Sequence, residues 1–429
     1  MNFVIFTPAL TISAIGRATR LVVSALLGQG HQVIVVRAEK AALLERPAHD
    51  FGTRLIAWTD TANVEKAVQQ ADMLVYQIGN NYQFHLGCME WMPVHPGIVC
   101  LHDFFLGHLF HDWAQNRRPE AEAVLREWYG TDVAERYFSI EHDFIENTED
   151  MAPMTEWISS MALGVVTHSS WAIQRVLNSC PGPVHVIALA YDVPRIDAVA
   201  VAESAPRQAG QLSIVTVGHV NPNKRPDSVI RAIGNSPYLR ERVNYRLVGM
   251  IEPSVAAQLQ SLATSVQVNV SIFGEVDDLT LKQEIEHADV MCCLRWPTLE
   301  AASASAIESM LYGKATIVID TGFYRELPDE CVRKISIENE LPALQSALED
   351  FCRDRESILR LGSTAALWAN QHFSAEKYAE GLLAISESTA AAEPALAMSR
   401  FYSDTVSAWG SVSSGETLGH ITGPVLLLG

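Results

Sequence analysis

Two glutamates frame a run of small residues in the second half of the chain. In the stretch LEAASASAIE, Glu300 comes before a series of alanines and serines and Glu308 after it, in a Glu-x7-Glu pattern. Small side chains let a ligand approach the backbone, and a carboxylate can accept hydrogen bonds from sugar hydroxyls. Taken alone, two glutamates on a helix are more typical of a solvated face. The elements around them therefore decide the interpretation.

Those elements predict an anion site. The apolar run at residues 288–294 predicts a buried strand, and Pro297 ends it. From about Ser303 the pattern is helical, with an apolar stripe starting at Ile307 and Gly313 as the C-terminal cap. A strand, a small-residue turn and a helix N-terminus form an anion site, because backbone N–H groups and the helix dipole face the ligand.

A second loop carries basic residues. The apolar run at 211–218 predicts a strand, and Gly218, Lys224 and Arg225 follow in GHVNPNKR. Glycine permits a tight turn, and the two cations can neutralise a diphosphate without a metal. Because this loop and Glu300 both follow parallel strands, we expect them to line the same crevice.

Composition limits the class of protein. The chain has 429 residues, 48% hydrophobic and 19% charged, which predicts a globular protein of two or three domains. A net charge of −19 argues against broad nucleic-acid binding. The 7 cysteines show no Cys-x-x-Cys spacing, and we expect free thiols in a reducing cytoplasm. We expect neither a membrane-spanning helix nor a metal site, and the N-terminus is typical of a first core strand.

Strands and helices alternate along the chain, which predicts doubly wound parallel sheets. We expect a Rossmann-like domain at 1–191, a linker at 192–210 and a second Rossmann-like domain at 211–373. A helix is expected at 374–388, followed by an extension of uncertain order at 389–429.

The Gly-x5-Lys spacing of Gly218 and Lys224, followed by Glu-x7-Glu, resembles the retaining glycosyltransferases of family four. The resemblance covers roughly residues 1–388. It implies an α/β fold of the GT-B type, with two Rossmann-like doubly wound domains facing a central cleft. The resemblance implies that the domain at 1–191 lies on the acceptor side, that the domain at 211–373 binds the nucleotide sugar and that the helix at 374–388 crosses back to the first domain. It also implies that Lys224 holds the donor diphosphate, Glu308 binds the nucleotide ribose and Glu300 faces the donor sugar.

Two residues in the first half of the chain are similar to family positions. Gly16 matches the glycine of the first N-terminal loop, near the donor phosphate and the acceptor. His102, in LHD, matches the histidine that closes the N-terminal side of the active site. The resemblance therefore implies a catalytic role for Glu300 and His102, and a donor-binding role for Gly16. A core or strand-end histidine is the alternative for His102.

The chain departs from the family pattern at two places. His219 stands where the family has arginine after the loop glycine, and a histidine is charged only part of the time near neutral pH. We therefore expect Arg225 to supply the fixed charge, with Gly218 and His219 also at the donor. Ala301-Ala302-Ser303 replaces the family's Gly-Phe-Gly, which places Ser303 among the donor-binding residues and leaves the sugar preference open.

The implied activity is metal-independent, retaining transfer of a sugar from a UDP- or GDP-linked donor to a hydroxyl acceptor. The acceptor would be a sugar, a lipid-linked molecule or a protein, in glycan, polysaccharide or glycoconjugate synthesis, with no further cofactor. Two alternatives remain open: a nucleotide-sugar epimerase of the same shape, and a non-catalytic nucleotide-sugar-binding subunit of a glycan assembly complex. A nicotinamide dehydrogenase is disfavoured, because neither half has the glycine fingerprint.

The expected location is the cytoplasm. Arg17 and Arg20 beside apolar residues raise the alternative of a peripheral contact at the inner face of the membrane. No nucleic-acid partner is expected. The sequence leaves the base, sugar, acceptor, general base and oligomeric state open.

Overall fold

The computed structural model describes residues 1–140, 144–193 and 211–408. They group into two compact units. The first contains Met1–Ala190, Leu299–Ala302 and, in its described part, 375–408; the second contains Tyr191–Thr298 and Ser303–Ser374. The segment Leu299–Ala302 thus groups with the first unit, although it lies within the sequence range predicted for the second domain. Most of the expected linker and the end of the C-terminal extension, at 194–210 and 409–429, lie outside the described residues.

The strands are β1 (Asn2–Thr7), β2 (Gln32–Arg37), β3 (Leu55–Ala57), β4 (Met73–Ile78), β5 (Ile98–Leu101), β6 (Gly164–Thr167), β7 (Val184–Val186), β8 (Leu212–Val217), β9 (Val243–Val248), β10 (Val270–Gly274), β11 (Val290–Cys292), β12 (Ala315–Ile319) and β13 (Arg333–Ile335). The helices are α1 (Ala14–Gly28), α2 (Thr61–Gln69), α3 (Tyr82–Trp91), α4 (Gly107–Ala114), α5 (Arg118–Tyr129), α6 (Thr131–Arg136), α7 (Phe144–Thr148), α8 (Thr155–Ser160), α9 (Ile173–Ser179), α10 (Pro226–Gly234), α11 (Pro237–Arg240), α12 (Pro253–Ser265), α13 (Asp278–Glu286), α14 (Ala304–Leu311), α15 (Gly322–Glu326), α16 (Glu340–Arg353), α17 (Arg355–His372) and α18 (Ala375–Ala408).

The first unit contains a parallel sheet with strand order β3-β2-β1-β4-β5-β6-β7. Its central strands are almost wholly buried, as expected for strands covered by helices on both faces. Helix α18 covers part of one face, where Tyr378 and Leu382 pack in one apolar cluster with Val166 and Ile187. The order reverses between β1 and β4, which is the position where such sheets bind ligands.

The second unit repeats this plan with the order β10-β9-β8-β11-β12-β13, again with every pair parallel. Ile214, Leu247, Val290 and Ile317 are fully buried in its core. Its order reverses between β8 and β11. The loops that follow these two strands are the ones that the sequence predicts to bind an anion.

The predicted architecture of two doubly wound α/β domains is confirmed. The sequence analysis missed β3 and β13, since three-residue edge strands are too short to show a periodicity. Helix α18 continues beyond residue 388, past Pro394, to Ala408. Within the described residues, no helix combines the length and the hydropathy needed to cross a bilayer.

Candidate functional site

The loop after β8 places a lysine at the carboxyl end of the second sheet. Gly218 has φ +86°, in the region that favours glycine, and a Cβ built there would lie 2.7 Å from Nζ of Lys224. A 3-10 turn at Pro222–Lys224 brings the chain back, and Nζ donates a hydrogen bond to the Val217 carbonyl oxygen. Lys224 is only 6% exposed. The glycine therefore leaves room for a buried amine at the end of the strand.

Arg295, which the sequence analysis did not single out, lies after the neighbouring strand β11. It is 8% exposed, and its Nη1 donates to the Leu294 carbonyl at 2.9 Å. Burial raises the pKa of the nearby Cys293 thiol, whereas a hydrogen bond to Ser309 and the positive charges of Arg295 and Lys224 lower it. The charges of Arg295 and Lys224 therefore both act on the Cys293 thiol.

Helix α14 begins after these strands with Ser303 as its N-cap residue. The Ser303 side chain makes no capping hydrogen bond, and its Oγ lies 3.3 Å from Oγ of Ser305. The N–H groups of a first helical turn have no partner within the helix, so they remain available to an anion or to water. Glu308 is in the same helix and only 7% exposed. Ser303 and Glu308 thus belong to the second unit, with Lys224.

Glu300 belongs to the first unit, so the structure divides the Glu-x7-Glu pair between the two units. Its segment pairs with the chain after β5: Ala301 N donates to the His102 carbonyl at 3.0 Å, and Phe104 N donates to the Leu299 carbonyl at 2.8 Å. Ser169, after β6, donates from Oγ to the Ala301 carbonyl at 2.7 Å. Two backbone hydrogen bonds and one from a serine hydroxyl therefore hold the Glu300 segment at the carboxyl ends of β5 and β6.

Asp103 forms an isolated antiparallel bridge with Glu300 and was also missed from the sequence, although it follows His102 in the LHD motif. Its Oδ2 accepts a hydrogen bond from the Asn80 amide at 2.8 Å. Burial raises the pKa of Asp103 to about 7, with a further increase from the Glu300 charge and a partial decrease from the Asn80 bond. A carboxyl group that titrates near neutrality can accept or donate a proton there.

His102 is buried beside a second histidine. Its Nε2 lies 2.6 Å from Oε1 of Gln77, and its ring centroid lies 4.7 Å from that of His168. Burial, followed by the charges of His168 and His85, lowers the pKa of His102 well below its usual value. His102 is therefore neutral near pH 7. With Gln77 Oε1 as acceptor, the ring proton lies on Nε2, so the side chain acts through hydrogen bonds and not as a cation.

Arg225 is paired with a carboxylate of the second unit. Its Nε and Nη2 bind the two carboxylate oxygens of Glu340 at 3.0 and 2.6 Å. Glu340 is 7% exposed and needs this positive partner. The buried carboxylate holds the Arg225 guanidinium in a two-pronged ion pair, and the expectation that Arg225 supplies the fixed charge for a diphosphate stays a prediction.

The two remaining predicted residues lie in different units. His219 is mostly exposed, but its partial desolvation, together with the Lys224 charge, lowers its pKa despite the opposing effect of Glu252. It therefore carries little charge near pH 7. Gly16 lies in the first turn of α1, where a Cβ would come within 2.4 Å of the Pro8 carbonyl oxygen. Close backbone packing thus explains this glycine.

Comparison with protein families gives one match. Residues 202–368 match the family described as glycosyl transferases group 1. The matched stretch contains Gly218, Lys224, Arg295 and both glutamates, so it includes the basic loop and the helix that the sequence predicts to bind a donor. No curated protein sequence matches the chain significantly.

Comparison with solved structures shows the fold. Sucrose-phosphate synthase from Thermosynechococcus elongatus matches with a TM-score of 0.60 at 14% identity, covering 95% of this chain and 100% of that chain. HepE of Anabaena, in complex with UDP and glucose, matches with a TM-score of 0.58 at 15% identity, covering 89% and 98%. WaaG, a glycosyltransferase involved in lipopolysaccharide biosynthesis, matches with a TM-score of 0.55 at 15% identity, covering 89% and 99%. The predicted GT-B fold is confirmed.

Proposed function

We propose that this chain is a retaining, metal-independent glycosyltransferase that moves a sugar from a nucleotide-diphosphate donor to a hydroxyl acceptor. The observation that carries the proposal is the buried amine of Lys224, fixed against Gly218 and the Val217 carbonyl where the second sheet reverses its strand order. The family match over residues 202–368 supports the reaction class. A UDP- or GDP-linked sugar is the donor that we propose.

Sugar transfer requires stabilisation of the negative charge that develops on the leaving diphosphate. In our proposal, Lys224 and the N-terminus of α14 neutralise the negative charge that develops there, so no bridging metal is required. Glu308 holds the ribose and Glu300 faces the donor sugar. The neutral His102 supports the site through hydrogen bonds and through its carbonyl bond to Ala301.

The proposed acceptor is a hydroxyl of a sugar, a lipid-linked molecule or a protein, in the synthesis of a glycan, polysaccharide or glycoconjugate. The sugar would keep its anomeric configuration by passing through an oxocarbenium-like state on the face of the leaving diphosphate. We propose a cytoplasmic location, which the free thiols of all cysteines in the structure support.

The test measures release of labelled sugar from UDP- and GDP-linked donors, with water or simple glycosides as acceptors and EDTA present. Lys224→Met should lower kcat/KM about tenfold to a hundredfold, since a hydrogen bond to a charged group is lost. The matched control is Lys314→Met. Lys314 is also buried, at 5% exposure, but it directly precedes β12, at the amino ends of the strands, and donates to the Glu286 carbonyl at 2.7 Å.

Equal rates in Lys224→Met and the wild type would contradict the proposal. A new nucleotide sugar formed without acceptor would favour the epimerase instead. For any product formed, NMR of the new anomeric centre shows whether the transferred sugar has kept its anomeric configuration.

A further inference from the structure

Two strand ends meet at the point where the second sheet reverses its order. The pairing of β8 with β11 sets Ile214 opposite Val290 and Val215 opposite Met291. The register continues beyond these pairs, because Thr216 Oγ1 donates to the Cys292 carbonyl at 3.1 Å. Neighbouring strands lie about 4.8 Å apart. Residues that leave the two strands here therefore begin from adjacent positions.

Each of these strand ends carries one buried cation. Lys224 binds the Val217 carbonyl at the end of β8, and Arg295 binds the Leu294 carbonyl beyond the end of β11. They are 6% and 8% exposed. Both charges lower the pKa of the same Cys293 thiol, so both lie within electrostatic reach of it.

The backbones that carry the two cations are tied to each other. Trp296 N donates to the Asn223 carbonyl at 3.0 Å, and Asn223 Nδ2 donates to the Pro297 carbonyl at 2.6 Å. Asn223 directly precedes Lys224, and Trp296 directly follows Arg295. These two hydrogen bonds join the loops, so the two cations are held as one preorganised group.

We propose that Arg295 is the second cation of the donor diphosphate site, with its guanidinium and the Lys224 amine binding the same diphosphate. This inference rests on the proposed function and adds a residue to its site. The other basic side chains of the β8 loop are poorly suited to the task, since Arg225 is bound to Glu340 and His219 is largely neutral. A guanidinium can bind a phosphate through two parallel hydrogen bonds.

The consequence for the reaction is a leaving group with two fixed positive charges beside it. Both cations already occupy their positions before the sugar–phosphate bond breaks, so little reorganisation is needed as charge develops on the diphosphate. The charge missing at His219 is therefore supplied from the neighbouring strand. The site then differs from the family pattern in the position of its second cation and not in its total charge.

The test is calorimetric titration with UDP, GDP, ADP and inorganic pyrophosphate in EDTA. Arg295→Gln should weaken binding of the preferred nucleoside diphosphate and of pyrophosphate about tenfold to a hundredfold. Arg295→Lys should be intermediate, because it keeps the charge but loses the two-pronged geometry. The loss should shrink as ionic strength rises, an effect that a purely structural role would not produce.

The control is Arg246→Gln. Arg246 is a partly buried arginine of the same unit, paired with Glu284 at 2.7 Å in the middle of β9, and its removal should leave diphosphate affinity unchanged. Wild-type affinity in Arg295→Gln would overturn the inference alone and leave the proposed function standing. If Arg295→Gln does not fold, wild-type affinity in Arg295→Lys overturns it. Absence of diphosphate binding in the wild type would overturn both.

Discussion

Replacing Asp103 by asparagine removes a carboxyl group whose pKa burial raises from 3.8 to about 7. Asparagine is nearly isosteric, and its Oδ1 can still accept the Asn80 N–H bond. The folded protein binds the Asp103 proton more tightly than the unfolded chain does. This group's contribution to stability is therefore complete below about pH 4 and is lost as the pH rises to about 7.

One pKa unit corresponds to about 1.4 kcal/mol, so ionised Asp103 costs the fold about 4 kcal/mol at most. Because Asp103 is only partly buried, solvent screening lowers the expected figure to about 2–4 kcal/mol. The free energy of unfolding of Asp103→Asn, measured relative to wild type, should rise by this amount between pH 4 and pH 8.

The assay is urea denaturation followed by tryptophan fluorescence across this pH range. Most of the tryptophans lie in the first 190 residues, so the signal reports mainly on the first unit. Asp277→Asn is the control and should change little with pH across this range, because hydrogen bonds from Thr280 lower the pKa of Asp277 below 3.8 and keep the carboxylate ionised. A stability difference between Asp103→Asn and wild type that stays constant with pH would refute the reasoning.

Three further substitutions test other parts of the structure. Gly218→Ala should lower the free energy of unfolding by about 1–2 kcal/mol, because alanine is strained at the positive φ of this position. The added Cβ should also displace the Lys224 amine and weaken nucleotide binding, and unchanged affinity in calorimetry would contradict this second effect. Leu382→Ala, at a fully buried position of α18, should cost about 2–5 kcal/mol in urea denaturation, whereas Leu367→Ala, at 69% exposure, should cost less than about 0.5. Arg225→Gln should lower the free energy of unfolding by about 3 kcal/mol, since the buried Glu340 carboxylate loses its partner. Titration should show unchanged diphosphate affinity, and a large loss of affinity would instead support the expected role of Arg225 at the diphosphate.

The fold could be predicted from sequence because the central strands are long apolar runs between helical patterns. The runs at β1, β2, β4, β8 and β12 need no knowledge of their neighbours to be recognised as buried parallel strands. The end of α18 was harder to predict. Proline usually disrupts a helix interior, but α18 continues past Pro394. Local helix propensity alone therefore does not predict where this helix ends.

The site was only partly predictable, because residue type and position along a strand do not show which loops meet. Lys224 is recognisable from its distance to Gly218. Arg295 also directly follows an apolar run, but its importance depends on β11 lying beside β8, and strand order is a property of the folded chain. Asp103 was likewise missed, since its raised pKa arises mainly from burial in the folded chain, with a smaller contribution from Glu300 far along the sequence. Arg225 had a suitable residue type, but a distant glutamate, Glu340, binds it.

The most direct test of the central claim is a thermal-shift panel of UDP, GDP, ADP and NAD in EDTA, on wild type, Lys224→Met and Lys314→Met. A ligand at a hundred times its Kd stabilises the native state by about 2.7 kcal/mol. We predict that one nucleoside diphosphate raises the melting temperature of wild type and Lys314→Met without metal, and that Lys224→Met loses most of the shift. Stabilisation by NAD alone, or an equal shift in Lys224→Met, would contradict the claim.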